Sequence, residues 1–279
     1  MSVPARPLAL PAPDELARAI AARLPGFQDV AWVAQTGSTN ADLMERARAG
    51  GAARPWLLGA HAQQSGRGRA GRSWANTAGA TLMVSCAYEI RVPPARLPAI
   101  SPLSGLAACE ALRTLSSASG LCVKWPNDLQ WHDAKLAGIL VESIRTPGRD
   151  THTVVIGMGL NLRDAAGLSA ALGREVADWS QVTAHDAGPA AGVAELVAAL
   201  ALSWQDAVAA LEQGGFEAFQ ARYAALDALI GRPVTVQDQG RVLHEGIACG
   251  LDEFGRLQVR TEQGTITVSV GEISVRARA

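Results

Sequence analysis

Two of the 25 basic residues in this 279-residue chain are lysines, and they lie 11 positions apart, at Lys124 and Lys135. A lysine presents a compact ammonium on a flexible stem, whereas an arginine presents a planar fork. Since arginine stands at every other basic position, the two lysines indicate places where a point charge is needed. Such a charge suits phosphate or carboxylate binding. The alternative is that two lysines fell close together by chance.

An arginine- and glycine-rich segment, Gly66–Trp74, precedes the lysines. It matches the dinucleotide-binding glycine pattern, but no helix-forming sequence follows it and it lacks the Gly-Lys-Ser/Thr end of a P-loop. Arg67, Arg69 and Arg72 nevertheless sit on a backbone whose amides can approach an anion. We predict a ligand loop that orders over a bound anion. A solvated surface loop and an RNA-binding arginine–glycine segment are the alternatives.

The first lysine opens the segment Lys124-Trp-Pro-Asn-Asp128. The proline ends a buried strand, and the two residues that follow can turn the chain while presenting polar groups. We predict that Lys124 faces phosphate and that Asp128 or Asn127 holds Mg²⁺ directly or through water. The alternative is an ordinary turn.

The second lysine opens the apolar strand that begins Lys135-Leu-Ala-Gly. An ammonium at this position must be solvated or paired. If residues 132–133 form a two-residue turn, Lys135 lies opposite Gln130, with Asp128 on the same face. The hairpin then brings the two lysine segments together. An edge lysine whose ammonium reaches solvent is the alternative.

Glycines and amides at strand ends add candidate contacts. Gly138 removes a side chain where a ligand could approach the strand. The segment Gly157-Met-Gly-Leu-Asn161 ends a strand with an amide that could contact a ribose or base, or could simply turn the chain. Trp179 lies in a polar stretch, where its ring could pack on a nucleobase or pin a loop.

Apolar periodicity and turn residues predict the elements that position these groups. Helices are predicted over 14–24, 38–49, 97–115, 193–211 and 216–229. Strands are predicted over 30–33, 56–62, 81–88, 121–125, 128–131, 135–144 and 153–158, with loop over 63–79 and a loose arm over 1–12. After Gly231, short alternating segments separated by glycine turns predict a small β-barrel of SH3-like size. The predicted domains are 1–229 and 230–279.

Composition excludes several classes of protein. Hydrophobic residues make up 48% of the chain and charged residues 18%, as in a folded globular protein. The net charge of -1 argues against a general binder of nucleic acid or membrane surfaces. The four cysteines form no C-x-x-C pair and are predicted to be buried in a reducing compartment. No apolar run reaches membrane-spanning length, so we predict a cytoplasmic protein.

Six segments, taken in order, resemble biotin–protein ligases. They run from Ser38-Thr-Asn through Gln63–Trp74, Lys124–Asp128, Lys135–Leu140 and Gly157–Asn161 to Gly271–Arg276. The resemblance implies an α+β fold, in which a class II synthetase-like catalytic domain with a mixed or antiparallel sheet precedes an SH3-like β-barrel. It implies that biotin and MgATP form biotinyl-5′-adenylate. A lysine of a biotin carboxyl carrier protein, such as that of acetyl-CoA carboxylase, then accepts the biotin.

The resemblance, with the observations above, assigns the ligand contacts. Biotin is expected to contact Ser38, Thr39, Asn40, Gln63, Gly66, Arg67, Gly68, Arg69, Lys135 and Gly138. ATP and the adenylate are expected to contact Arg69, Arg72, Trp74, Lys124, Asn127, Asp128, Lys135, Asn161 and Trp179. Lys135, reaching both the biotin carboxylate and the α-phosphate, and Arg69 are the catalytic candidates; Asp128 is the candidate Mg²⁺ contact. Joining two anions needs positive charge where charge develops and accurate positioning, but no nucleophilic side chain.

Two other functions are compatible with these residues. One is a lipoate- or octanoate-handling ligase or transferase of related fold, and the more remote one is a non-catalytic nucleic-acid-binding regulator. Regulatory biotin ligases carry a DNA-binding winged helix before the Ser-Thr-Asn segment. Because 37 residues precede Ser38, too few for that domain, the resemblance implies a ligase without DNA binding. The net charge and the lack of a long apolar run predict that it does not bind membranes. The sequence is compatible with a monomer and with a homodimer.

Overall fold

The computed structural model describes residues 10–50, 52–71, 74, 79–184, 186, 191–238, 241–269 and 274–277. The predicted nucleotide contact Arg72 and residues 271–273 of the last resembling segment lie outside these ranges. So do residues 1–9 of the predicted N-terminal arm.

A seven-stranded mixed sheet forms the larger part of the protein. Its strands are β1 (Asp29–Thr36), β2 (Trp56–Gln63), β3 (Thr81–Ile90), β4 (Leu121–Lys124), β5 (Asp128–Trp131), β6 (Ala134–Arg145) and β7 (His152–Asn161). The order across the sheet is β1-β2-β3-β7-β6-β5-β4. The β1–β2 pair is parallel, and the other neighbours are antiparallel. The prediction of a mixed sheet is confirmed.

Helices cover both faces of this sheet. They are α1 (Pro13–Ala21), α2 (Thr39–Ala49), α3 (Ile100–Thr114), α4 (Ala165–Leu172), α5 (Trp179–Val182), α6 (Val193–Gly214) and α7 (Gln220–Leu226). The short helices α4 and α5 were not predicted, and the helix predicted over 216–229 is a 3-10 turn followed by α7. By length and composition α6 could span a membrane, but half of its apolar window is buried, as in a core helix.

The two faces of the sheet differ. Alternate residues of β3 and β7, such as Val84 and Ile156, join the main core with α1, α3 and α6. The opposite face carries α2 over only part of its area, through Ala87 and Val155. The remainder of that face is where β5, β6 and β7 bring the predicted contact residues together.

The hairpin between β5 and β6 forms as predicted. His132 and Asp133 both adopt positive φ, 49° and 66°, which is the conformation that a two-residue type I′ turn requires. Lys135 pairs with Gln130 in the register, and a bulge next to Gln130 then aligns Asp128 with Gly138.

The C-terminal region forms a separate five-stranded antiparallel sheet. It contains β8 (Pro233–Asp238), β9 (Arg241–Leu251), β10 (Leu257–Thr261), β11 (Gly264–Val268) and the unpredicted β12 (Ser274–Ala277), in the order β11-β10-β9-β8-β12. Its core contains Trp125 of the first lysine segment, whose Nε1 donates to the Gly255 carbonyl at 3.1 Å. Cys122 is half-buried and Cys249 on β9 is exposed, so the prediction that all four cysteines are buried is wrong for these two.

Candidate active site

Three glycines form the floor of the site. Gly157 and Gly159 of β7 pair with Leu140 and Gly138 of β6 on the sheet face that α2 leaves open. A Cβ on Gly159 would lie 2.4 Å from the Trp74 ring, and one on Gly138 would lie 2.8 Å from it. The predicted close approach at Gly138 is therefore made by the Trp74 side chain.

The N-terminus of α2 directs polar groups onto this floor. Ser38 is its N-cap and accepts from the Ala41 N–H at 3.4 Å. The cap turns the chain so that the next two side chains, Thr39 and Asn40, point into the sheet, where both are almost fully buried. Ser38, predicted as a biotin contact, is thus engaged in shaping the helix start.

Five side chains form what we call the buried polar chain: Gln63, Thr39, Ser85, Asn40 and Glu142. Gln63 Oε1 accepts from the Thr39 N–H at 2.7 Å and lies 3.0 Å from the Thr39 hydroxyl. The Thr39 and Ser85 hydroxyls are 2.7 Å apart, and Ser85 donates to Asn40 Oδ1 at 2.7 Å. Asn40 Nδ2 donates to Glu142 Oε2 at 2.9 Å.

The sequence analysis did not identify two members of the buried polar chain, Ser85 and Glu142. Ser85 interrupts the apolar strand β3, and Glu142 lies on β6 after a largely apolar run. A polar residue inside an apolar strand must find a partner there, which is the signal that could have identified both. Gly157 belongs to the same arrangement, since a Cβ on it would lie 2.1 Å from Asn40 Oδ1.

The charged end of the site contains the second lysine. Lys135 Nζ lies 2.5 Å from Asp128 Oδ1 and 5.3 Å from the centre of the Trp74 ring. The Lys135 and Asp128 side chains are 17% and 25% exposed. Lys124 pairs with Asp128 in the β4–β5 register, so the two lysine segments come together, as the sequence predicts.

Asn127 connects the arginine loop to the sheet. Its Nδ2 donates to the Ile139 carbonyl at 2.6 Å, and its Oδ1 accepts from Arg69 Nη1 at 3.2 Å. The guanidinium of Arg69 is thereby linked through Asn127 to β6. Asn127 therefore acts on Arg69 in this structure.

Asn161 also acts through a neighbour. Its Nδ2 donates to the carbonyls of Lys135 and Ala177, at 3.3 and 3.1 Å, and the residue is almost fully buried. The amide predicted to reach a ribose or base thus fixes the backbone of Lys135.

The described part of the arginine loop covers one side of the site. Gly66 is buried and accepts from the Trp74 N–H at 2.9 Å, whereas Arg67 is exposed and Gly68 half-buried. Arg69 begins a short 3-10 turn. The prediction of a loop is confirmed in the described residues, and this loop carries Arg69 to the charged end.

Trp179 lies away from the open face. Its side chain is fully buried in the main core, at the start of the short helix α5. The structure thus favours loop pinning over the nucleobase contact predicted for this ring.

The described residues contain no group of three or more His, Cys, Asp or Glu side chains that could hold a metal ion. The candidate Mg²⁺ contact Asp128 is already engaged by Lys135. Mg²⁺ is commonly bound by one or two carboxylates together with substrate phosphates. The protein side chains therefore do not form a resident metal site in the described part of the chain.

Sequence comparisons with known proteins indicate one family. Residues 32–161 match the biotin/lipoate A/B protein ligase family, and residues 229–276 match the biotin protein ligase C-terminal domain. The bifunctional ligase/repressor BirA of Escherichia coli is 34% identical over 99% of this chain and 83% of its own length. The biotin–[acetyl-CoA-carboxylase] ligase of Mycobacterium tuberculosis is 34% identical over 89% of both chains. This chain belongs to the biotin protein ligase family.

A solved structure supports the same fold. The biotin protein ligase of Aquifex aeolicus in complex with biotin and ATP superimposes with a TM-score of 0.70, covering 90% of this chain and all of its own, at 22% identity. The first family match runs from within β1 to the end of β7 and includes the residues at both ends of the site. The second coincides with the five-stranded C-terminal sheet.

Proposed function

We propose that this enzyme is an ATP-dependent biotin–[acetyl-CoA-carboxylase] ligase. It joins biotin to ATP as biotinyl-5′-adenylate, releasing pyrophosphate, and then transfers the biotinyl group to a lysine of a biotin carboxyl carrier protein. The observation that carries the proposal is the position of Lys135. Its ammonium lies beside Asp128, on the glycine floor that also borders the buried polar chain.

In the first step, a carboxylate oxygen of biotin attacks the α-phosphorus of ATP, and the bond to pyrophosphate breaks. Both reactants are anions, so their approach requires fixed positive charge. Lys135 and Arg69 supply it in our assignment. Lys135 is held by a single partly exposed carboxylate, and incoming anions can compete with Asp128 for the ammonium.

In the second step, the neutral amine of the acceptor lysine attacks the acyl carbon, and AMP leaves with the electrons of the broken acyl–phosphate bond. The mixed anhydride is already activated, so the enzyme needs to position it and exclude water rather than supply a nucleophile. The acceptor lysine belongs to the carrier protein.

The finer assignments belong to the same proposal. The ring of biotin faces Thr39, Asn40 and Gln63, its carboxylate faces Lys135, and the nucleotide lies toward Trp74 and Lys124. Mg²⁺ would be held by the ATP phosphates next to Asp128, where it would shield the negative charge of those phosphates. We also propose the SH3-like description of the C-terminal sheet, a domain boundary near 229 and a cytoplasmic location.

The test is ATP-dependent labelling of a purified biotin carboxyl carrier domain. We expect labelling with biotin and ATP, none without ATP, and none when lipoate replaces biotin. A carrier domain whose acceptor lysine is changed to arginine is the matched control and should stay unlabelled. Labelling of a lipoyl domain with lipoate, and none with biotin, would contradict the proposal.

A further inference from the structure

Trp125 joins two parts of the protein. It directly follows β4, in the segment that carries Asn127 and Asp128, yet its side chain is 1% exposed and packs in the core of the C-terminal sheet. Its indole N–H donates to the carbonyl of Gly255, which lies 130 positions further along the chain. The turn between β4 and β5 is therefore held by a distant part of the sequence.

The partner of Trp125 belongs to a well-braced turn between β9 and β10. The Asp252 carboxylate accepts from the Phe254 and Arg256 N–H groups, both at 2.9 Å. Gly255 stands between these two residues with a positive φ of 72°. The backbone of the turn thus fixes the direction of the carbonyl that the Trp125 indole binds.

The same turn packs against the start of α3. A Cβ on Gly255 would lie 3.2 Å from Ala99 Cα, so the two backbones are in close contact. On this first turn of α3, the Ser101 hydroxyl donates to the Pro126 carbonyl at 3.2 Å, in a buried contact. We call these contacts, which hold the backbone between α3 and the C-terminal sheet, the Trp125 clamp.

The Trp125 clamp directly precedes the groups that organise the charged end. Asn127 accepts from Arg69 and donates to β6, and Asp128 accepts from Lys135. We infer that Trp125 is a positioning residue, through which the C-terminal sheet fixes the Lys135 ammonium and the Arg69 guanidinium for adenylate formation. This inference rests on the proposed function, since adenylate formation is the step that it concerns.

The strands of the charged end contact the C-terminal region at further points. Arg232, which precedes β8, has its Nη1 2.6 Å from Asp133 Oδ1 in the turn between β5 and β6. Along β4, the Val123 carbonyl accepts from the Ala228 N–H at 2.9 Å. The buried polar chain lies instead on β2, α2, β3 and the far half of β6. The C-terminal sheet should therefore act on the charged end and leave biotin binding by the buried polar chain unchanged.

Gly255→Ala disturbs the Trp125 clamp without altering a side chain of the site. The added methyl would lie 3.0 Å from Pro102 Cγ, which presses the turn away from α3 together with the carbonyl that Trp125 binds. At saturating biotin and ATP, the single-turnover rate of biotinyl-5′-adenylate formation should fall about tenfold, since misplacement by about 1 Å can cost about 100-fold. The biotin concentration for half-saturation should stay the same.

The matched control is Gly231→Ala. Gly231 has almost the same backbone conformation, with a φ of 75°, but no atom lies within 4 Å of an added Cβ. Both variants place an alanine at positive φ and should lower Tm, whereas only Gly255→Ala should lower the rate. Equal rate losses would overturn the inference, because backbone strain alone would then explain them.

Trp125→Phe removes the indole N–H and keeps an aromatic ring in the core. Its matched control is Trp204→Phe, because the Trp204 ring is equally buried in the main core and its N–H donates to the Ser104 carbonyl at 3.0 Å. Both changes remove one hydrogen bond and should lower Tm. The saturating rate should fall roughly threefold to tenfold in Trp125→Phe, the equivalent of one net hydrogen bond, and stay the same in Trp204→Phe.

The double variant tests whether the two losses have one cause. In the Gly255→Ala background, Trp125→Phe should slow adenylate formation less than it does alone, and fully multiplied losses would overturn the inference. A wild-type saturating rate in either single variant would also overturn it, as would a loss of biotin affinity as large as the loss of rate. If Trp125→Phe does not fold, the comparison of Gly255→Ala with Gly231→Ala decides.

Failure of the inference and failure of the proposed function give different results. Wild-type protein that forms no biotinyl-5′-adenylate would refute the proposed function and the inference with it. An active wild type whose saturating rate is unaffected by Gly255→Ala and Trp125→Phe would refute the inference alone.

Discussion

The two ends of the candidate site are built differently. Thr39, Ser85 and Asn40 of the buried polar chain are 3%, 1% and 4% exposed, and each is joined to neighbours on different elements. At the charged end, Lys135 and Asp128 are several times more exposed and are joined by one ion pair. One end is therefore set before a ligand arrives, whereas the other can exchange partners.

This difference follows from the cost of leaving groups unsatisfied. A buried hydroxyl or amide that loses its partner keeps the full penalty of desolvation, so the buried polar chain resists rearrangement. The Lys135–Asp128 pair is partly exposed, so water can solvate Asp128 when its partner leaves, and opening the pair costs less than opening a fully buried one. An arriving carboxylate or phosphate can thus take Lys135 from Asp128 at little cost.

The largest effect is expected from Lys135→Arg. A planar guanidinium cannot occupy the same point between Asp128 and Trp74, so the rate of biotinyl-5′-adenylate formation should fall about 100-fold or more, as misplacement of a catalytic group does. The matched control is Lys124→Arg, the same change at the other lysine, for which we expect a smaller loss. Single-turnover release of pyrophosphate measures both rates.

A near-normal rate in Lys135→Arg would remove the distinction between the two lysines. Equal losses in the two variants would show instead that the charged end responds to total charge and not to one placed ammonium.

Gly157→Ala tests the polar end. The added methyl would lie 2.1 Å from Asn40 Oδ1 and 2.9 Å from Ser85 Oγ. The buried polar chain must therefore shift, which lowers stability by about 1–3 kcal/mol. We expect the biotin Kd to rise about tenfold or more, with the KM for ATP changed much less. Gly26→Ala, where no atom lies within 4 Å of the added methyl, is the matched control. If Gly157→Ala bound biotin normally, the rigidity assigned to this end would be wrong.

Arg69→Gly should weaken the retention of biotinyl-5′-adenylate. The change removes a charge-assisted contact and the link to Asn127, and such contacts are worth about 1.5–3 kcal/mol. We expect biotinyl-5′-adenylate to dissociate at least about tenfold faster, measured by chase with unlabelled ligand. Unchanged dissociation would show that the loop closes without Arg69.

Asp227→Asn tests a residue that lies outside both ends of the site, between α7 and β8. Burial raises the pKa of the Asp227 carboxyl to about 6, against backbone N–H groups that lower it. Because the folded state binds this proton more tightly, stability falls as pH rises from about 4 to about 6 and stays lower above that range.

The variant should therefore raise stability at pH 8 by about 1–2 kcal/mol, and the gain should vanish near pH 4. Catalytic constants should not change. In the variant, the amide oxygen still accepts from the Leu229 N–H, a 2.8 Å bond in the wild type. The amide nitrogen takes the place of Asp227 Oδ2, which has no hydrogen-bond partner among the described residues. Equal stability gains at both pH values would exclude the buried charge as their cause.

Much of the charged end could be predicted because its geometry is local. The positive φ values at His132 and Asp133 follow from a two-residue turn, and the turn fixes the register that places Lys135 beside Asp128. Ser38 as a helix cap is also a local pattern. These features depend on residues a few positions apart, which the sequence displays directly.

The polar end could be predicted only in part, because its contacts cross the sheet. Asn40 meets Ser85 and Glu142 across 45 and 102 positions of sequence, and no local pattern reveals such pairs. Trp179 shows the same limit, since a tryptophan in a polar stretch is equally compatible with a ligand contact and with the core. Only the packing of α5 decides between them.

The most direct test of the two-ended account is single-turnover formation of biotinyl-5′-adenylate, followed as a function of biotin concentration. Gly157→Ala and Lys135→Arg would be compared with the wild type. The account predicts that Gly157→Ala shifts half-saturation to higher biotin and reaches nearly the wild-type rate at saturation. Lys135→Arg should instead depress the saturating rate by far more than it shifts half-saturation. The reverse pattern, with Gly157→Ala limiting the rate and Lys135→Arg changing only the biotin requirement, would contradict the account.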